Sequence, residues 1–166
     1  MDLLQLIPTI KRFALSLCKN HADADDLAQD VILKLVRNGS LKEEGPSKAW
    51  LFKVVLNRFR DRARWKNRRP ETSLEPLELA DHVDPSKVVE GREQLQVVLD
   101  SFQQLPETQR QVLFLRTVEA LSIDEIAEVT GINRNSVKAN LSHARKKMRE
   151  KFRSDHSNEA DRESAV

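Results

Sequence analysis

With 166 residues, 39% of them hydrophobic and 33% charged, the chain can hold one ordinary domain or two small ones with modest cores. Four glycines and no tyrosine supply strand and hairpin chemistry poorly, while abundant Leu, Ala, Glu, Lys, Arg and Gln favour helix, so the expected class is all-α. A net charge of +2 leaves the choice of partner to local patches, and the single cysteine, Cys18, excludes an internal disulfide and fits a reducing cytoplasm. The early acid at Asp2 and the lack of any run of about 18 apolar residues argue against a leader or a membrane span, so cytoplasmic location without membrane insertion is expected.

Leu3 to Leu17 is apolar enough for a first helix, in which Pro8 marks a break or a late start. Asp23 can cap a second helix whose Leu27, Val31 and Leu35, with Ala28 and Ile32, fall on one face, and Asn38-Gly39 stops it. Gly45-Pro46-Ser47 opens a third helix with Trp50, Leu51, Val54, Val55 and Phe59 as its buried stripe. Charge then divides the chain. Arg58 to Arg69 holds seven basic residues and one acid, whereas Pro70 to Ser86 holds five acids, three prolines and no Lys or Arg. A surface loop of that length inside one compact domain would be unusual, so a flexible acidic linker between two small helical domains is preferred. The expected division is 1–69, a linker over 70–90, a second domain over 91–153, and a disordered polar tail over 154–166.

In the second domain, Val97, Val98 and Phe102 belong to a helix ending near Leu105-Pro106, and Glu107 or Thr108 starts the next. Ser122-Ile123-Asp124-Glu125 has the form of a capping box. Gly131 suits a left-handed cap ending the short helix, and Asn133 opens a last helix with Val137, Leu141, Ala144, Met148 and Phe152 along one side. The pattern is a helix-turn-helix. That geometry also occurs in proteins that bind no DNA, but the other side of the last helix carries Arg134, Asn135, Lys138, Asn140, Ser142, His143 and Arg145. These can donate or accept at base edges and phosphates, which favours DNA binding.

The run from Arg58 to Arg69 could be a solvated helix end, yet seven cations in twelve residues exceed what capping requires. Trp50, Phe52, Phe59 and Trp65 lie among or near them, and aromatics beside cations suit single-stranded DNA, although at least one of Trp50 and Phe59 is expected to be plain core. Asp23, Asp25, Asp26 and Asp30 read better as first-turn acids than as a metal set, and His21 with Cys18 falls short of a zinc set. No phosphate-binding glycine loop and no nucleophile–base pairing is found, so neither an enzyme nor a cofactor is expected.

Two ordered motifs resemble the extracytoplasmic-function class of bacterial sigma factors, within the sigma-70 family. The first is Asp23-Ala24-Asp25-Asp26-Leu27-Ala28-Gln29-Asp30-Val31 followed by Ala49-Trp50-Leu51-Phe52 and Asn57. The second runs from Leu105-Pro106-Glu107 through Ile126-Ala127-Glu128-Val129-Thr130-Gly131 to Ser136-Val137-Lys138 and Ala144-Arg145. The resemblance implies a protein that joins core RNA polymerase and promoter DNA, with an anti-sigma factor as a further partner, and that starts transcription without covalent chemistry. It implies polymerase docking by Asp26, Gln29, Asp30 and Leu35, capture of a flipped base by the loop from Asn38 to Ser47, and minus-ten contacts by Lys48, Trp50, Asn57, Arg58, Asp61 and Arg62. It implies minus-thirty-five reading by Arg134, Asn135, Ser136, Lys138, Asn140, His143 and Arg145. The chain departs from the family's habit in a shorter first helix, in Ile32 where an aromatic is common, and in Asn140 and Ser142 where more basic or aromatic groups are common. The competing reading, an operator-binding regulator with residues 1–69 as a sensing or dimerising domain, leaves the basic, aromatic third helix unexplained. A sequestering protein leaves two basic faces unexplained.

Overall fold

The computed structural model describes the backbone of residues 3–18, 20–38, 47–68 and 90–163, and the side chains of 5–18, 20–38, 47–68 and 95–154. These residues form seven helices and no strand: α1 (Leu3–Cys18), α2 (His21–Arg37), α3 (Lys48–Arg68), α4 (Glu90–Gln103), α5 (Glu107–Thr117), α6 (Ile123–Thr130) and α7 (Arg134–Glu163). The linker expected over 70–90 lies outside the described residues but for Glu90, which opens α4.

α1 runs through Pro8 rather than breaking there. The proline removes one donor close to the N-terminus, where loss of a ladder bond disturbs little below it. Leu6, Ile10, Phe13, Ala14 and Leu17 recur at helical spacing and are all buried. The cap of α2 is Asn20, not Asp23. The Asn20 Oδ1 accepts from the Asp23 amide at 2.8 Å while its Nδ2 donates to the Asp23 carboxylate at 3.0 Å. An amide can serve both partners at once, which a carboxylate at the cap could not. The same hydrogen bond, with Lys66 and Arg62 nearby, holds the Asp23 carboxyl below its usual range.

Ser47 caps α3, its Oγ accepting from the Trp50 amide. The buried stripe of α3 is Ala49, Leu51, Phe52, Val55 and Leu56. Trp50 is 36% exposed, and Val54 and Phe59 are only partly covered. The stripe is turned from the expected one because α3 packs on α1 and α2 along one side and on α6 along another.

The helix-turn-helix is α6–α7. Ser122 and Glu125 form the reciprocal capping box, and the Ser122 bonds hold the Glu125 carboxyl below its ordinary value. Gly131 takes φ +77 at the C-cap, and Asn133 Oδ1 accepts from the Ser136 amide at 2.8 Å to start α7. Val137, Leu141 and Ala144 are buried, and Met148 packs partly against them. α7 does not end near 153: its backbone stays helical to Glu163, a stretch free of Pro and Gly.

The two helical halves pack directly on each other through α1–α5 and α3–α6. Phe13 of α1 meets Phe52 at 5.0 Å between ring centroids and Phe114 of α5 at 5.5 Å, so one side chain serves both halves. The Arg110 guanidinium, nearly inaccessible to solvent, donates to the carbonyls of Ser16 and Leu17 at the end of α1 and of Leu105 in its own half. A cation at a helix C-terminus meets unpaired carbonyls and the negative end of the dipole.

Candidate nucleic-acid interface

α2 and α3 lie antiparallel, and their charged residues form a ladder. Lys66 pairs with Asp23 at 3.4 Å, Arg62 approaches Asp26 at 3.7 Å and Asp30 at 3.8 Å, and Arg58 meets Asp30 at 3.0 Å. Acids at every third or fourth position of α2 thus face cations at every fourth position of α3, which is the spacing two packed helices require. Two residue sets to which separate roles were expected, Asp26 with Asp30 and Arg58 with Arg62, are therefore in mutual contact. One guanidinium nitrogen of Arg62, Nη1, is buried without a hydrogen bond.

On its opposite flank α3 meets the second half. Lys48 reaches Glu119 at 3.1 Å, Lys53 approaches Glu128 at 4.0 Å, and Arg60 donates to the Thr130 carbonyl at 2.8 Å. Between these flanks, Trp50, Asn57, Asp61, Arg64 and Trp65 are exposed. A cleft of about 550 Å³ opens at the C-terminal half of α3, lined by Asp30, Arg58, Asp61, Arg62, Arg64 and Trp65 among others. Cations and an indole around one cleft can hold a phosphate while a base lies on the ring. The expected base-capturing loop lies outside the described residues except for Asn38 and Ser47.

The first turns of α7 make a second, more open concavity, lined by Ala127, Asn133, Arg134, Asn135, Ser136, Lys138 and Ala139. Asn135, Lys138, His143 and Arg145 are exposed, and Arg134 pairs with Asp124 at 3.0 Å on the surface. Asn140 is half-buried, with its amide donating back to the Ser136 carbonyl at 2.8 Å, so it serves its own helix first. Ser136 is likewise half-buried at the cap.

On α2, Gln29 is exposed and Asp26 lies beside it, but Leu35 is 1% exposed and belongs to the core. Leu35 follows Val31 by four residues on the buried side, so it cannot touch a docking partner. The exposed apolar groups of α2 are Leu33 and Val36, each 53% exposed, and sequence reasoning passed over both. Leu33 lies seven residues after Asp26 and four after Gln29, a spacing that would have found it. Ala139 was passed over as well, because an alanine carries no polar signal, yet it lines the α7 concavity.

The chain matches two family models, "Sigma-70 region 2" over residues 3–69 and "Sigma-70, region 4" over residues 95–148. The chain is 29% identical over 149 residues to the ECF RNA polymerase sigma factor EcfG of Rhodopseudomonas palustris, covering 89% of this chain and 81% of that protein. It is 30% identical over 139 residues to the RNA polymerase sigma factor SigV of Bacillus subtilis, covering 83% of this chain and 81% of that one. The fold resembles the crystallised sigma factor RpoE in complex with the anti-sigma factor NepR from Bartonella quintana, with a TM-score of 0.68, 25% identity, and coverage of 91% of this chain and 94% of that one. No helix among the described residues is long and apolar enough to cross a membrane. Two region models in order, relatives aligned over most of both chains, and a shared fold lead to one conclusion: the chain belongs to the sigma-70 family, as a sigma factor of the extracytoplasmic-function class that directs transcription initiation.

Proposed function

We propose that the chain binds core RNA polymerase through the outer side of α2, engages the minus-ten element through α3, and reads the minus-thirty-five element in the major groove through α7. The observation that carries this reading is the division of α7 into a core side, Val137, Leu141 and Ala144, and an open side on which Asn135, Lys138 and Arg134 surround one concavity. Side chains at the first turns of a helix following such a turn reach base edges. Asp26 and Gln29, with Leu33 and Val36 replacing the buried Leu35, form the docking side of α2. Trp50, Asn57, Arg58, Asp61 and Arg62 hold the melted strand, with Lys48 at the start of the same helix. Strand opening then draws on the capture of unstacked bases and phosphates, not on nucleotide hydrolysis. An anti-sigma factor is a further partner, supported by the likeness to a sigma factor crystallised with one.

The decisive experiment is run-off transcription with core polymerase, with and without this protein, on templates selected from randomised upstream and downstream elements. Protein-dependent initiation with permanganate-reactive thymines at the bubble is expected. The free protein should bind duplex promoter weakly, because each half presents only a small surface. Tight, sequence-specific duplex binding by the free chain at physiological salt, with no stimulation of core polymerase, would replace this reading with an operator-binding one.

A further inference from the structure

α6 and α7 are joined by a turn that is held by its core and its backbone. Ile126, Val129, Val137 and Leu141 are buried in the common core, Gly131 takes φ +77, and Asn133 opens α7. An ion pair crosses the same turn on the outside. The Asp124 carboxylate, in the first turn of α6, meets the Arg134 guanidinium, in the first turn of α7, with Oδ1 3.0 Å from Nη1. An acid in a first turn commonly serves the helix dipole. Here the cap is already made by Ser122 and Glu125, and the Asp124 carboxylate reaches across to α7 instead.

The pair does little for stability. Both side chains are more than half exposed, at 65% and 62%, and an ion pair in water contributes almost nothing net once its long side chain is fixed. Its place is what gives it a use. Arg134 lines the concavity at the first turns of α7, with Asn135, Ser136 and Lys138, whereas Asp124 stands beside that concavity.

A guanidinium carries its donors in a rigid plane. Asp124 engages the Nη1 corner, which leaves Nε and Nη2 as two parallel donors along one edge. Such an edge matches the O6 and N7 acceptors of guanine in the major groove. The carboxylate also offsets the charge that would draw Arg134 to a phosphate, and it repels a phosphate approaching the same place. Water leaves the concavity when a duplex enters, so the pair strengthens where the orientation of the fork matters.

We propose that Asp124 is a positioning residue for base readout: it holds Arg134 with its Nε–Nη2 edge toward a guanine of the upstream element and keeps it off the backbone. This rests on the reading of α7 as the helix that enters the major groove. An acid of α6 that touches no base thereby becomes part of the specificity.

The test is a selection over randomised upstream elements by holoenzyme assembled from core polymerase and the full chain, followed by affinity measurements on the winning site. Wild type should require guanine at one position, and Arg134→Ala should lose that requirement alone. Asp124→Asn should cut discrimination at the same position about tenfold, while overall affinity for duplex rises because an acid has been removed. The charge-keeping Asp124→Glu should restore part of the discrimination. Replacing the guanine with 7-deazaguanine, which lacks the N7 acceptor, should cost wild type about tenfold, Asp124→Asn less, and Arg134→Ala nothing. A defect of folding would lower affinity for every sequence, and simple repulsion of DNA by Asp124 would make Asp124→Asn bind every sequence better with discrimination intact. Either result overturns the inference, and so does a guanine requirement that survives Arg134→Ala. A wild-type holoenzyme that selects no upstream element overturns the reading of α7 as well, whereas normal selection unmoved by Asp124→Asn overturns the positioning alone.

Discussion

α3 and α7 carry comparable sets of cations but stand in opposite situations. Lys48, Lys53, Arg58, Arg60, Arg62 and Lys66 of α3 are engaged on two flanks, by the acids of α2 and by Glu119, Glu128 and Thr130 of the second half, while Arg64 meets Asp61 of its own helix. Those at the start of α7 face an open concavity, with a surface pair between Arg134 and Asp124. A helix that reads duplex DNA can be finished in advance, since the groove it enters already exists. On the proposed roles, a helix that holds a melted strand has no ligand before melting, and its cations meet protein groups instead.

Because the two halves share Phe13, the sharpest way to break the contrast is Phe13→Ala. The ring is fully buried against Phe52 and Phe114, so its removal should cost about 3–5 kcal/mol and lower urea midpoints read from probes in both halves together. A loss confined to the first half would show that the halves are not energetically joined. On α2, Leu35→Ala should destabilise by about 2–5 kcal/mol. The double change Leu33→Ser with Val36→Ser should leave the melting temperature nearly unchanged while weakening holoenzyme assembly in a core-polymerase titration. If the double variant assembles normally, the exposed apolar groups are not part of the docking surface.

On the proposed roles, substitutions on α3 and α7 should then fail differently. Asn135→Ala or Lys138→Ala should relax base preference at the upstream element by about 1–3 kcal/mol per contact, seen as altered winners in a randomised-site selection, with bubble formation intact on a matched promoter. Asn57→Ala should instead reduce permanganate reactivity with upstream preference unchanged. The smallest effect concerns Asp23. Its carboxyl is held below the usual range by Asn20, with Lys66 also favouring the charge, so the stabilisation is present above the ordinary carboxylate pKa of about 3.9 and fades as pH falls through the lower folded value. The stability gap between wild type and Asp23→Asn should be measurable near about pH 6 and close toward about pH 2, in urea titrations. A gap that widens on acidification would contradict the cap.

The all-α architecture and the helix-turn-helix were legible because their signals are local. Ser122 with Glu125, Gly131 and Asn133 each act within three or four residues, so spacing alone reveals them. Asn20 was missed because the acids at 23, 25 and 26 present an equally good cap signal, and only the chain's approach to α2 decides between them. Periodicity placed Leu35 on the buried side with Leu27 and Val31, whereas family resemblance gave it a docking role, and the packing follows the periodicity. Trp50 went the other way, because the buried arc of α3 is set jointly by α1, α2 and α6, the last of them far along the chain. Glu119 and Arg110 left no trace at all, as the partners they meet in the other half lie about seventy or more residues away and each looks like an ordinary surface charge in sequence.

The carboxylates of Asp23, Asp26 and Asp30 stand beside α3 much as the phosphates of a strand would. Were nucleic acid to take over Arg58 or Arg62 in the proposed role, the strand would shed condensed cations while the vacated aspartate drew counterions back toward itself, offsetting part of that release. The net ion release per phosphate contact on α3 should then fall below the roughly 0.7 expected for a single strand, whereas contacts on α7 should come nearer the duplex value of about 0.9. With the proposed roles, upstream recognition by α7 would weaken steeply as ionic strength rises, while the hold of α3 on an opened strand would change less.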